Sequence, residues 1–327
     1  MASTPQVRHY TADAESAGQR LDNFLLRELK GVPKTHVYRI IRSGEVRVNK
    51  GRAQADTRLQ SGDLVRVPPI RLSEKIEARQ ENPAPPREFP ILFEDGAFMA
   101  INKPAGVAVH GGSGVSFGVI EQLRRARPDA PLLELVHRLD RETSGILLVA
   151  KKRSALKALQ DQFRARETAK TYLALVQGAW PVNKKVIDQP LHKYLLPDGE
   201  RRVRVTGADD PDGMRSITLV KVLGQVRPPD WIGSAPPLLT LLAVTIKTGR
   251  THQIRVHLAS AGHPIVGDDK YGDFDLNRAL QRNGLRRMFL HAWQLGLVHP
   301  VTQQALQLQA DLPPELMTWG SVADFFV

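Results

Sequence analysis

The chain of 327 residues contains no cysteine. Disulfides, thiolate zinc sites and cysteine nucleophiles are thereby excluded. So are enzymes that attack C6 of a pyrimidine through a thiolate, and the zinc deaminases, which need a Pro-Cys-x-x-Cys segment. No apolar run approaches the roughly 20 residues that span a bilayer. The stretch from Met1 to Tyr10 lacks the apolar centre of a secretory signal, so a cytoplasmic protein is expected, with no membrane partner. There is no internal repeat, heptad or broad apolar stripe, and a monomer is expected. Acidic residues are the minority charge: 34 Asp and Glu stand against 46 Lys and Arg, a net +12. That balance favours a polyanionic partner, nucleic acid above all and an acidic membrane surface less often. The hydrophobic share of 42% is enough for a core and for more than one domain.

Residues 18–69 read as a small unit. Leu21, Phe24 and Leu25 share a helical face, Gly31 ends that helix, and Pro33 opens a second through Val37, Ile40 and Ile41 to Gly44. Val46 to Gly51 alternates and turns as a strand entering a hairpin, and Asp63 to Val67 is a closing strand. Residues 18–67 hold eleven Lys/Arg and five Asp/Glu, half the net charge of the chain. Lys34, Arg39, Arg42, Arg47, Lys50 and Arg52 cluster on the second helix and the strand after it, and are the expected RNA-binding residues. Residues 70–88 are charged and then proline-rich, a linker that forms neither helix nor central strand. Residues 89–327 alternate short strand-like runs with helical patterns. Strands are expected at Phe98–Asn102, Gly145–Ala150, Thr171–Gln177, Ile217–Leu223 and Leu238–Lys247, and helices at Leu156–Phe163 and Thr251–Ala261. Strands outnumber helices, which favours an α+β fold on a mostly antiparallel sheet. Loops near 196–214 and 226–237 read as surface insertions.

The most informative stretch is His137-Arg138-Leu139-Asp140-Arg141-Glu142-Thr143-Ser144-Gly145, which leads into an apolar strand. Two guanidinium groups flank Asp140 and should favour its charged form. An ionised, partly desolvated carboxylate can act as nucleophile or base at a sugar. A structural Arg–Asp pair capping the strand fits this stretch equally well. In a second segment, Lys247 to Leu258, Thr251 is the expected cap of a helix carrying His252 and Arg255. Basic groups near a helix N-terminus suit a phosphate or a carboxylate from elsewhere, which makes Arg255 a candidate partner for Asp140. An ordinary amphipathic helix with Ile254, Val256 and Leu258 inside is the alternative. Tyr172 lies on an alternating strand, opposite in face to Leu173 and Leu175. It is either half-core or a ring that stacks on a nucleobase with a hydroxyl that exchanges a proton. Gly114-Val115-Ser116-Phe117-Gly118 matches the nucleophile-elbow pattern, but it runs directly on from His110-Gly111-Gly112, which a hydrolase keeps apart from its elbow. His252, His257, His263, His291 and His299 lack regular ligand spacing, so no metal centre is expected.

Two resemblances gather these words. Arg20-Leu21-Asp22, Ile40-Ile41-Arg42-Ser43-Gly44, Val46-Arg47-Val48-Asn49 and Gly62-Asp63-Leu64-Val65 resemble the S4 RNA-binding domain. Residues 89–327 resemble the RluA-type pseudouridine synthase family, closest to the C subtype among its members that act on the large ribosomal subunit. The matching words are Lys103-Pro104-x-Gly106, the Asp140 motif, Tyr172 in its strand, Gly249-Arg250-Thr251-His252-Gln253-Ile254-Arg255-x-His257, and Gly262-His263-Pro264-x-x-Gly267-Asp268-x-x-Tyr271-Gly272. The resemblance implies a mixed, mostly antiparallel sheet with flanking helices and a central cleft, and isomerisation of uridine in RNA, 23S ribosomal RNA for that subtype. It implies that Asp140 is catalytic and that Arg138 inserts into the RNA stack in place of the turned-out nucleotide. Tyr172 would pack on the target base and manage a proton, Arg255 would hold Asp140 by an ion pair, and Leu290 would floor the pocket. Lys103 and His252 are expected at the substrate as well. Asp140 would attack C1′ or abstract the 2′ proton; both remain open. No cofactor is expected, since the reaction has no net redox change and no group to carry.

Overall fold

A computed structural model describes residues 6–29, 32, 34–70, 84–111, 117–197, 199–229, 231 and 235–326. Gly31, Pro33, residues 71–83 of the expected linker, and residues 112–116 of the elbow-like stretch lie outside the described residues. The chain divides into two compact units, Met1–Pro86 with Arg127–Leu132, and Arg87–Ala126 with Leu133–Val327. Among the described residues, no helix is long and apolar enough to cross a membrane.

The first unit has strands β1 (Arg8–Thr11), β2 (Arg47–Val48), β3 (Gly51–Arg52) and β4 (Leu64–Val67) in the antiparallel order β1-β4-β2-β3. It thus takes in a strand that precedes residue 18. Helices α1 (Leu21–Glu28) and α2 (Lys34–Arg42) bury Leu21, Phe24, Leu25, Val37, Ile40 and Ile41 against Val65 and Val67. Asn49 and Lys50, both at positive φ, make the two-residue turn between β2 and β3, the geometry that matches strand twist in a tight hairpin.

The second unit is built on one large sheet. Its strands are β5 (Ile91–Glu94), β6 (Phe98–Lys103), β7 (Glu134–Leu135), β8 (Ser144–Ala150), β9 (Ala169–Gln177), β10 (Val186–Asp188), β11 (Leu191–Leu195), β12 (Arg201–Val205), β13 (Ile217–Val226), β14 (Leu239–Ile246), β15 (Leu290–Val298) and β16 (Ala305–Gln309). The order is β10-β13-β14-β9-β15-β8-β6-β5, with β16 on β15 and β7 on β8; β11 and β12 form a separate hairpin. Every pairing in the large sheet is antiparallel except β15 with β8. The helices are α3 (Val119–Ala126), α4 (Arg153–Ala165), α5 (Gln253–Ser260), α6 (Phe274–Arg282) and α7 (Pro314–Met317).

The period of two along β9 divides the core. Leu173 and Leu175 face Leu239, Leu241 and Phe289 on one side. Tyr172, Ala174 and Val176 face Leu242, Val244, Ile254, Leu258 and Leu290 on the other. Strand β8 is buried along its whole length, as a near-continuous apolar run in mid-sheet must be, and Ala155, Leu156 and Leu159 of α4 join its core cluster. The central strands β14, β9, β15 and β8 are neighbours, and the candidate site sits on them.

Candidate active site

The turn before β8 presents Asp140. The Thr143 N–H donates to the Asp140 carbonyl at 3.2 Å, closing a tight turn, and the Arg141 carbonyl accepts from Gly106 N–H at 2.9 Å. Gly145 follows at φ +108, and a Cβ there would stand 2.2 Å from the Ala292 carbonyl oxygen of β15. Only glycine allows both that conformation and that approach. The Ser144 hydroxyl bridges His291 Nδ1 at 2.8 Å and Arg287 Nη2 at 2.7 Å. The His137 ring stacks on Phe163 with centroids 4.7 Å apart and its Nε2 accepts from Leu148 N–H at 3.1 Å. Burial pushes the His137 imidazole down to about 4, so it is neutral. Most of the motif therefore builds the strand mouth, and Asp140 is the carboxylate it delivers to a cavity.

That cavity has a volume of about 120 Å³. Leu290, Ile246, Ile254 and Tyr172 form its apolar wall, and Asp140, Arg138, Arg250, His252 and Arg255 its polar one. The Asp140 side chain is 21% exposed. Arg255 Nη1 lies 3.5 Å from its Oδ2 and His252 Nε2 3.9 Å away. Burial raises the Tyr172 hydroxyl above its ordinary value, and the Asp140 charge adds to this. Tyr172 is thus a neutral phenol that can donate a hydrogen bond.

The ion pair expected between Arg255 and Asp140 is present, but it is the looser half of a larger arrangement. Arg255 is held chiefly by Asp268, which is wholly buried. Arg255 Nε and Nη2 each donate to an Asp268 carboxylate oxygen at 2.7 Å, a bidentate, charge-assisted contact. Asp268 also accepts from the N–H groups of Lys270 and Tyr271 at 2.8 and 3.1 Å. Sequence patterns placed Asp268 in a matching word but gave it no role, because nothing local marks which carboxylate will meet which guanidinium.

Three further expectations are corrected. Arg138 and Arg141 flank Asp140 in sequence, yet Arg141 pairs with Glu142 at 2.8 Å and Arg138 is an exposed residue of the cavity rim. The cation nearest Asp140 is therefore Arg255, from α5, at 3.5 Å. Lys103 does not reach a substrate site. It is fully buried, and its ammonium donates to the carbonyls of Pro104, Val107 and Arg141 at 2.8, 2.8 and 3.0 Å. Burial pushes it down to about 7. Its role is to tie β6 to the turn that carries Asp140. Thr251 is not the helix cap. His252 occupies that position in left-handed conformation, φ +52, with no side-chain cap bond. The turn is fixed instead by Gln253, which accepts from Thr248 Oγ1 and Arg250 N–H at 2.7 and 3.1 Å and donates to Ile217 O and Thr218 Oγ1, each at 3.0 Å.

The orientation of His252 follows from its neighbours. Tyr271 Oη accepts from Val203 N–H at 3.1 Å and lies 2.9 Å from His252 Nδ1. The phenol proton is then free to go to Nδ1, which puts the proton of a neutral imidazole on Nε2, facing Asp140. Burial lowers the basicity of His252, against the pull of the Asp140 charge. Four other histidines of the second unit are engaged in the fold: His257 meets Thr218 Oγ1 and Gln189 O, His263 meets Gln177 O, His291 meets Ala310 O, and His299 meets Asp95.

In the first unit, the register sets Arg52 beside Arg47, Arg47 beside Arg66, and Arg66 beside His9. Directly opposed like charges destabilise a sheet, so this row suits a polyanion. Arg66 was not among the expected residues; its place in the row comes from strand register. Arg39 and Arg42 are exposed on α2 and Lys50 at the hairpin turn; Arg39 also pairs with Glu45 at 3.3 Å. The Lys34 side chain lies outside the described residues. Asp22, in the word Arg20-Leu21-Asp22, is buried and bonded to Arg20 and Tyr38 at 2.7 and 3.0 Å.

Residues 97–260 match the family model described as RNA pseudouridylate synthase, and residues 19–65 match that of the S4 domain. The chain is similar to ribosomal large subunit pseudouridine synthase C of Pasteurella multocida, 51% identical over 313 residues, which span 95% of this chain and 92% of that one. It is 49% identical over 318 residues to the protein of the same name from Yersinia pestis, covering 96% of this chain and 95% of that one. Among solved structures, human RNA pseudouridylate synthase domain containing 1 aligns with TM-score 0.56 at 26% identity, over 69% of this chain and 84% of that chain. Human RNA pseudouridylate synthase domain containing 4 aligns with TM-score 0.53 at 29% identity, over 69% and 89%.

Proposed function

The chain belongs to the RNA pseudouridylate synthase family and carries an S4 domain, and from that premise we propose that it isomerises uridines of 23S ribosomal RNA with Asp140 as the catalytic group. The observation that carries this reading is the accessible Asp140 carboxylate in an apolar-walled cavity, beside an arginine that a second carboxylate already neutralises.

The target nucleotide leaves the stack, at a cost of a few kcal/mol, and Arg138 on the rim takes its place. The base packs between Tyr172 and Leu290. Asp140 promotes cleavage of the C1′–N1 bond, by attack at C1′ or by removal of the 2′ proton. The freed uracil turns and rejoins through C5; the C5 proton is lost and N1 gains one, so nothing is added or removed overall. Tyr172, a neutral phenol, accepts the C5 proton only by passing on its own. The snug apolar wall keeps the uracil from escaping before it rejoins. Such an enzyme works where ribosomes are made, in the cytoplasm.

The test is incubation of the protein with an unmodified 23S transcript, followed by mass-labelled mapping of pseudouridine. Release of free uracil in place of pseudouridine would make the protein an RNA N-glycosidase and end this reading.

The arginine row of the S4 unit is expected to hold RNA phosphates. Replacing Arg47 and Arg66 together by glutamine should reduce the slope of log affinity against log salt by about 1.5, at roughly 0.7–0.9 per phosphate contact. The loss should fall on KM more than on kcat. A salt slope equal to that of the native protein would remove the row from the binding surface.

A further inference from the structure

A groove of about 510 Å³ leads away from the Asp140 cavity, between the end of α4 and the turn from β14 to α5. Arg138, Tyr172, Ile246, Gly249 and Arg250 line both the cavity and the groove, so the two adjoin across a shared wall. Its lining includes Arg138, Arg164, Arg166, Lys170, Lys247 and Arg250 and, among the described residues, no carboxylate side chain. Of these, Arg164 is paired with Asp161 on its own helix, and the Lys170 ammonium is 5.3 Å from the Phe163 ring centroid and 3.1 Å from Thr168 Oγ1. Crowding like charges into one groove raises the free energy of the folded protein unless a ligand compensates it.

Two details point to what that ligand is. Arg250, at the joint of cavity and groove, has a buried Nε with no hydrogen-bond partner among the described residues. A buried guanidinium N–H left unpaired is costly, and a small shift of the Arg250 side chain toward an anionic oxygen in the groove would satisfy it. Arg166 closes α4 in left-handed conformation, φ +63. Glycine is the usual residue there, because a side chain with a Cβ is disfavoured in that region. Here an exposed arginine holds the position, and among the described residues no acid pairs with it.

We propose that this groove carries the RNA backbone beside the turned-out nucleotide, with Arg250 gripping the phosphodiester at the joint and Arg166 and Lys247 the one beyond it. The proposal rests on the reading of Asp140 as the centre of an RNA-modifying site. It adds the direction in which the strand leaves and the residues that hold it. Phe163 and the neutral His137, stacked on one another, also line the groove.

The full chain with Arg166→Gly and Lys247→Gln is the first test, with binding and turnover measured on the unmodified 23S transcript. The expected result is about tenfold weaker binding and a salt slope lower by about 1.4, that is roughly 0.7 for each lost contact to a single strand. KM should rise more than kcat falls. Arg166→Gly alone should melt no lower than the native protein, since glycine fits the left-handed position. A drop in melting temperature that accounts for the lost affinity would make Arg166 a helix-end charge and overturn its role.

Arg250→Lys is the second test. It keeps the charge but removes the planar donor fork, so the salt slope should persist while KM rises about tenfold, as expected for a lost bidentate phosphate contact. Affinity and slope unchanged in both variants would refute the groove. Because affinity is read separately from turnover, a native protein that binds the transcript without forming pseudouridine would end the functional reading and leave the groove to be judged on binding.

Discussion

Asp140→Asn is expected to lower pseudouridine formation about a thousandfold or more, the scale seen when a nucleophile or general base is removed. Affinity for the RNA should stay within about tenfold and the melting temperature within a few degrees. The contrast follows from how the carboxylate is held. Its side chain is partly exposed to the cavity and outside the apolar clusters. Its nearest cation, Arg255 Nη1 at 3.5 Å, is beyond the 2.7–2.9 Å of a strong charge-assisted bond. Asparagine has the same shape, and Arg255 keeps the charges of Asp268 and Asp269, so no buried cation is left bare. What disappears is the negative oxygen that can attack C1′ or take the 2′ proton. RNA phosphates should tolerate the change, since a like charge has been removed from their path. Residual turnover above about a tenth of the native rate, measured by mass-labelled mapping, would show that the glycosidic bond breaks by another route.

How far the sequence foretold this site can be read residue by residue. Local signals carried well. The all-apolar run after Gly145 became β8, the alternation around Tyr172 became β9 with its two faces as expected, and the helical pattern before Phe163 became α4, extended to Arg153–Ala165. These succeed because one periodicity and one burial pattern fix each element. Failures occurred where an outcome depends on a distant partner or on backbone handedness. Arg141 has an acid on either side in sequence, Asp140 and Glu142, and pairs with the second; which of the two it takes depends on the turn geometry. Lys103 goes inward because three carbonyls from two segments converge on its ammonium. Neither a polar helix start nor a threonine shows that His252 will take the left-handed position with Gln253 as the brace. The Ser144–His291 bond spans 147 residues of chain, and no local window contains it.

Of the three carboxylates that meet Arg255, Asp140 faces the cavity, Asp269 is exposed and Asp268 is buried. Asp268→Asn should destabilise the second unit by about 3 kcal/mol, the lower end for breaking one side of a buried ion pair. At roughly 2–4 °C per kcal/mol for a domain of this size, the transition should move down by about 6–12 °C. Turnover should fall about a hundredfold as well, the scale of a misplacement near 1 Å. Arg255 loses its bidentate anchor, and its guanidinium is then free to close on Asp140 and quench the carboxylate that must react. The acid dependence gives a separate check. Burial works against the charged form of Asp268, but the Arg255 hydrogen bonds and charge and the two backbone N–H groups outweigh it and hold the carboxyl below its ordinary 3.8. A depressed carboxyl stabilises the fold at pH values above its unfolded value, and that contribution is lost as pH falls through the folded one. The gap in melting temperature between native protein and variant should therefore be full at neutral pH and shrink as pH falls below about 3.8. A gap of constant size across that range would mean that Asp268 acts by packing alone. A variant with native stability and native turnover would leave Arg255 without need of its buried partner, and Asp140 would then be the carboxylate that Arg255 exists to hold.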